Sequence, residues 1–236
     1  MRALHSSRGT PASAAGPPRA DGLSPLLLEW LEAEPFAGRA LLDVGTGTGR
    51  LALALAARGQ QVVGIDTDLA ALAAARRRAR RLRYQNVRFV AADAEQADYR
   101  ALAAPDVVVA HLCLSDAIVK RAAAGLPGGG LFAFAAFGAD QWRETGRRSR
   151  FAYTAEGARS VLEDAGFQVE RLEVQTEVRP FDTVEDALAV TTGFRPRWEV
   201  DGRWSAWTRF LEAGGRTLTQ SRVVGWARLG GPATRS

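Results

Sequence analysis

The run Asp43-Val44-Gly45-Thr46-Gly47-Thr48-Gly49 is the densest chemical signal in this chain. Glycines at 45, 47 and 49 let backbone amides approach a ligand closely, because no Cβ stands in the way. Amides that open a following helix also attract anionic or electron-rich groups. Two acids follow at intervals. Asp66, with Thr67 beside it, comes 21 residues after Gly45, and Asp93-Ala94 comes later still. A carboxylate at the end of a second strand can accept both hydroxyls of a ribose. At the end of a third strand, Asp93 can take the exocyclic amine of adenine while the Ala94 N–H donates to a ring nitrogen. Each acid alone is equally well explained as a helix cap, and the glycines as a plain turn. Three successive strand ends that each offer a fitting group describe a nucleoside pocket.

The spacing narrows the chemistry. A dinucleotide fingerprint, G-x-G-x-x-G, would need glycine at position 50, which is Arg50. That disfavours a nicotinamide oxidoreductase. No G-K-[ST] follows, so a phosphate-cradling P-loop is excluded.

These residues need a scaffold of alternating strands and helices. The patterns predict strands over 40–44, 61–65, 87–91, 106–110, 130–136, 167–178 and 220–227. Helices are expected over 51–58, from the Asp68 cap to about Leu82, and over 154–165 with Gly166 as its stop. The resulting fold is α/β: a Rossmann-like, seven-stranded, mostly parallel sheet with helices on both faces and an antiparallel last strand. One domain, 21–230, follows a disordered tail over 1–20. A helical insertion spans about 180–215, with helical patterns at 184–190 and 204–212, and it carries Trp198, Trp204 and Trp207. Those indoles, with Trp142 and Phe137, form either a lid or ordinary core.

Composition excludes several classes. No apolar run reaches the ~20 residues of a membrane helix, and the first twenty residues lack the apolar segment of a secretory signal. The single Cys113 rules out a disulfide framework and a multi-cysteine metal site, and no metal is expected. A cytoplasmic location fits. The net charge of +5 and the pI near 10.2 suggest nucleic acid, yet nine arginines in two short segments carry the excess. Three precede residue 21, and six lie within 76–83. A charge run of this kind is usually a solvated helix face, so nucleic acid is not an expected partner. RNA is the least favoured substrate.

L-L-D-V-G-T-G-T-G (41–49), V-V-G-I-D-T-D (62–68), A-A-D-A-E (91–95), P-D-V-V-V-A-H-L (105–112) and L-P-G-G-G-L-F-A-F (126–134) resemble the successive motifs of class I S-adenosylmethionine-dependent methyltransferases. The resemblance covers roughly 38–176 and implies S-adenosyl-L-methionine as cofactor. It implies that Gly45, Gly47 and Gly49, with Asp43 before them, serve the methionine part. Asp66 with Thr67 would serve the ribose, and Asp93 with Ala94 the adenine. His111 would line the methyl-transfer face. It is the one histidine placed to act as a general base, or else a hydrogen-bonded structural residue.

The acceptor is less legible. Ala110-His111-Leu112-Cys113-Leu114 lacks the [DN]-P-P-[FY] of amino-group methyltransferases, and Cys113 lacks the proline of the RNA cytosine enzymes. Further along stand Arg150-Phe151 with Glu156, Phe181-Asp182 with Ala187-Leu188, and Leu218-Thr219-Gln220. Together they are similar to malonyl-carrier-protein O-methyltransferases, although Gln220 replaces a usual tyrosine. That resemblance implies a small-molecule or acyl-carrier-bound carboxylate acceptor, with Arg150 and Tyr153 near it. Quinone or phenol methyltransferases, acting on carbon or oxygen, are the related alternative. A carboxylate needs no base; a phenol, hydroxyl or carbon acceptor does.

Overall fold

The computed structural model describes residues 22–36, 38–58, 60–149 and 151–231. The expected tail, 1–20, lies outside the described residues. Strand β1 (Ala40–Val44) is followed by helix α2 (Arg50–Ala56), β2 (Gln61–Asp66), α3 (Leu69–Arg81) and β3 (Val87–Ala91). Next come β4 (Val107–His111), β5 (Leu131–Gly138), β7 (Phe167–Pro180) and β8 (Thr217–Leu229). Their order across the sheet is β3-β2-β1-β4-β5-β8-β7. β8 runs antiparallel to both neighbours, and the first five strands are parallel. The seven-strand path expected from the sequence is present. Its one addition is β6 (Ala152–Tyr153), two residues beside the end of β5.

Four helices go beyond the sequence expectation: α1 (Pro25–Ala33), α4 (Tyr99–Ala103), α5 (Asp116–Gly125) and α8 (Arg195–Val200). Three of them carry a cap. The Ser24, Asp98 and Ser115 side chains accept from Leu27, Ala101 and Ile118 N–H, filling donors a helix start leaves unmet. α1, α4 and α8 are short, so their apolar periodicity is weak and packing completes them.

Strand alternation divides the core. Leu41, Val107, Val109, Ala133 and Val224 face α1, α2 and α3. Leu42, Val108, Phe132, Phe134 and Val223 face α4, α5 and α6 (Ala155–Asp164). Between β7 and β8 the chain forms α7 (Val184–Thr191), α8 and α9 (Arg203–Glu212). Their apolar sides build a third cluster around Trp198 and Trp207, both fully buried. The Trp207 indole donates to Thr191 Oγ1 at 3.0 Å. The insertion therefore has a core of its own.

Candidate functional site

All three loop glycines are left-handed, with φ of +66, +53 and +77° at 45, 47 and 49. Their surroundings differ. A Cβ on Gly45 would collide with Cys113, and one on Gly49 with Phe89 and Ala75, while one on Gly47 would meet nothing within 4 Å. Gly45 and Gly49 are thus packing requirements, and Gly47 alone faces open space. Beneath the loop, buried Asp43 accepts from the Thr46 hydroxyl at 2.5 Å and the Ala52 N–H at 3.1 Å. It ties loop to helix rather than lining a cavity. Burial pushes its carboxyl up to about 7, against the pull of those two hydrogen bonds.

At the carboxyl ends of β1 to β4 lies a cavity of about 320 Å³. Gly45, Asp66, Thr67, Asp93, Ala94 and His111 all border it. Asp66 accepts from the Gly47 N–H at 2.7 Å and the Asp68 N–H at 2.9 Å. Asp93 accepts from the Glu95 N–H at 2.9 Å. Buried Leu114 and Ile118 supply an apolar wall. Cys113 lies there too, its thiol pushed up to about 11 by burial and then by Asp66 and other acids, so it is a neutral wall group. Tyr99, which no motif flags, is buried below and donates to the Ala94 carbonyl at 2.7 Å, fixing that rim.

His111 ends β4. Its Nε2 accepts from the Ser24 N–H at 3.0 Å. Burial, with the Arg222 and Arg50 guanidinium groups, pushes it down to about 3. The ring is therefore neutral at ordinary pH, and the lone pair a base would use is occupied. Leu112 follows with φ +55°, a conformation rare for a branched side chain and one that concentrates at functional sites.

Leu112 also borders a second, larger cavity of about 780 Å³ under the insertion. Phe137, Trp142, Phe194 and Trp198 form much of its wall, and Arg179, Arg197 and Arg222 are its charged residues. Sequence reading missed these arginines. The available signal was Arg222 itself, a charge in phase with Leu218, Val224 and Trp226 along a buried strand face. Of the indoles expected as lid or core, Trp207 is core, whereas Trp142 and Trp198 are both packed in the cluster and cavity wall.

Arg150 lies outside the described residues. Tyr153 sits on β6 and donates to Asp116 Oδ1 at 2.7 Å, and it borders neither cavity. The arginine run lies on α3, away from both cavities. Arg77, Arg78, Arg80 and Arg81 are exposed, while Arg76 donates to the Phe89 carbonyl.

Residues 41–130 match the family model described as a methyltransferase domain. That stretch is similar to methyltransferase domains, which supports an S-adenosylmethionine-dependent methyltransferase. A ubiquinone biosynthesis O-methyltransferase of Acinetobacter baumannii (strain AYE) is 42% identical over 69 residues, which is 28% of this chain and 29% of that protein. A ribosomal protein L11 methyltransferase of Pseudomonas aeruginosa (strain LESB58) is 38% identical over 137 residues, 55% of this chain and 43% of that protein. These matches therefore span under half the length of either relative. The structure of Haemonchus contortus phosphoethanolamine N-methyltransferase 2, solved with S-adenosyl-L-methionine, superposes with a TM-score of 0.57 at 19% identity, over 87% of this chain and 52% of that one. The match to the methyltransferase domain thus runs from β1 to the residue before β5, and the insertion lies outside it. Among the described residues no helix is long and apolar enough to cross a membrane.

Proposed function

We propose that this protein transfers the methyl group of S-adenosylmethionine to a small-molecule or carrier-bound acceptor, and that the acceptor atom is a carboxylate oxygen. The methyltransferase domain supports the first statement. The first cavity suits a nucleoside: Asp66 stands where ribose hydroxyls need an acceptor, and Asp93 and Ala94 lie beside the apolar Leu114 and Ile118 where a purine would rest. When bound, the cofactor supplies a sulfonium methyl that is already activated. The chain's residues then have to align the acceptor and exclude water.

The observation that carries the carboxylate reading is His111. With Nε2 holding the Ser24 N–H and burial keeping the ring neutral, His111 is not ready to take a proton from an acceptor. An acceptor already ionised needs none. Arginines without acids in the second cavity wall suit the same anion. In this reading Arg150 and Tyr153 are acceptor-side residues. The second reading is a phenol or quinol, and the aromatic wall of Phe137, Trp142 and Phe194 favours it.

The test is transfer of labelled methyl to malonyl carrier protein, with the acetyl thioester and a catechol as comparisons. Labelling of the malonyl thioester alone is expected. Equal labelling of both thioesters, or of neither, overturns the carboxylate reading, and labelling of the catechol alone moves the assignment to a phenolic acceptor.

A further inference from the structure

Arg222 is an unusual residue for its place. It lies in the middle of β8, opposite Phe137 of β5 and Gln175 of β7, on an interior strand covered on both sides. In phase on one side are the buried, apolar Val224 and Trp226, and on the other the half-buried, polar Gln220 followed by buried Leu218. Among the described residues its guanidinium makes no hydrogen bond and no ion pair. Glu177 on β7 attracts it from a distance, while burial, the larger effect, and Arg50 oppose its charge. A guanidinium does not give up its proton in a protein, so the charge stays and an uncompensated half-buried cation is destabilising.

Three facts about the surrounding cavity point the same way. Arg197, on α8, also lacks a side-chain partner among the described residues and borders the same space. No aspartate or glutamate lines it. The buried Trp198 indole N–H, in the same wall, has no acceptor either. Among the described residues, the buried side-chain polar atom left without a partner in this wall is thus a donor. Around them stand Phe194, stacked on Trp198 at 5.3 Å, and Trp142, with its ring 5.1 Å from Trp198. About 780 Å³ is also far more room than a short acid needs.

We propose that Arg222, with Arg197, grips the anionic group of an amphipathic acceptor whose apolar body lies on Phe194, Trp142 and Trp198. The inference deepens the acceptor-site reading above and rests on it. It makes Arg222 the residue that selects the acceptor class. Arg222 stands close enough to His111 to lower that ring's basicity, and Leu112, next to His111, borders both cavities.

The experiment uses the full chain and two probes of one shape, 2-naphthoate and 2-naphthylmethanol, followed by tryptophan quenching, with adenosylmethionine affinity measured calorimetrically on the same samples. The carboxylate should bind about tenfold tighter than the alcohol, as a charge-assisted pair implies. Arg222→Gln should bring the two probes within about twofold of each other, an energy difference near thermal noise, while cofactor affinity holds. Arg222→Lys keeps the charge but loses the fork, and should retain part of the preference. Should Arg222→Gln fail to melt cooperatively, Arg222→Lys and Arg197→Gln carry the comparison. Equal affinity for the two probes in the unaltered protein, or full naphthoate binding by Arg222→Gln, overturns the inference. A protein that prefers naphthoate but binds no adenosylmethionine instead overturns the methyltransferase reading and leaves the anion site standing.

Discussion

Asp66 and Asp43 look alike in the sequence, yet burial gives them different work. Asp66 reaches the cavity and also holds the Gly47 N–H. If it anchors the cofactor ribose, Asp66→Ala should weaken adenosylmethionine binding at least ~10-fold, the loss of about one charged hydrogen bond. Unchanged calorimetric affinity would remove the assignment. Asp43 is protonated more readily in the fold than in the unfolded chain, its carboxyl being raised from 3.8 to about 7. The native state thus binds the extra proton. Its contribution to stability is complete below about pH 4 and is lost as pH rises toward 7. His111 has the opposite slope: its depressed value makes the fold gain stability as pH rises from about 3 through 6.5. The two partly cancel in the unaltered protein, so the difference between proteins is the informative quantity. Melting temperatures of Asp43→Asn minus those of the unaltered protein should climb between pH 4 and 7. A flat difference would mean that Asp43 is ionised throughout.

Within the glycine loop, position decides what a side chain does. Valine at 49 would be driven into Phe89 and Ala75, and valine at 47 into open space, each at a left-handed backbone. The backbone penalty is similar, about 1–2 kcal/mol, but only Gly49→Val adds overpacking of about 1–3 kcal/mol. Gly49→Val should therefore melt several degrees below Gly47→Val. If position 47 faces the bound cofactor, Gly47→Val should still melt cooperatively while losing adenosylmethionine binding. Thermal melts and calorimetry on the pair check both halves. Reversed melting temperatures would show that the loop packs differently.

For the molecule as a whole, a ligand held by β1 to β4 and by the linkers joining them to their helices should stabilise the entire fold, since both core layers share those strands. S-adenosylhomocysteine at a hundredfold excess over its Kd should add about 2.7 kcal/mol. For a chain of this size that is a rise of roughly 5–10 °C in Tm. The insertion, with its own core around Trp198 and Trp207, should follow the same single transition if it folds as part of the domain. A second transition that the ligand does not shift would mark the insertion as an independent unit.

The strand ends, the glycine loop and the α3 cap were legible in the sequence because each is a local matter. A left-handed turn favours glycine, Asp68 accepts from Ala70 and Ala71 two and three residues on, and burial alternates within a single strand. Hence the parallel half of the sheet and the residues around the first cavity could be read in order. Other features depend on contacts between distant segments. Nothing near Asp43 in sequence says that it lies under the loop rather than in the cavity. His111 is silenced by Ser24, a residue 87 positions away. Arg222 gains its meaning only when β8 inserts antiparallel between β5 and β7 and sets it beside Phe137, on the cavity wall that Arg197 and Trp198 also border. Local spacing determined the fold and the class of cofactor, whereas the acceptor side depended on which distant side chains the sheet brings together and leaves without a partner.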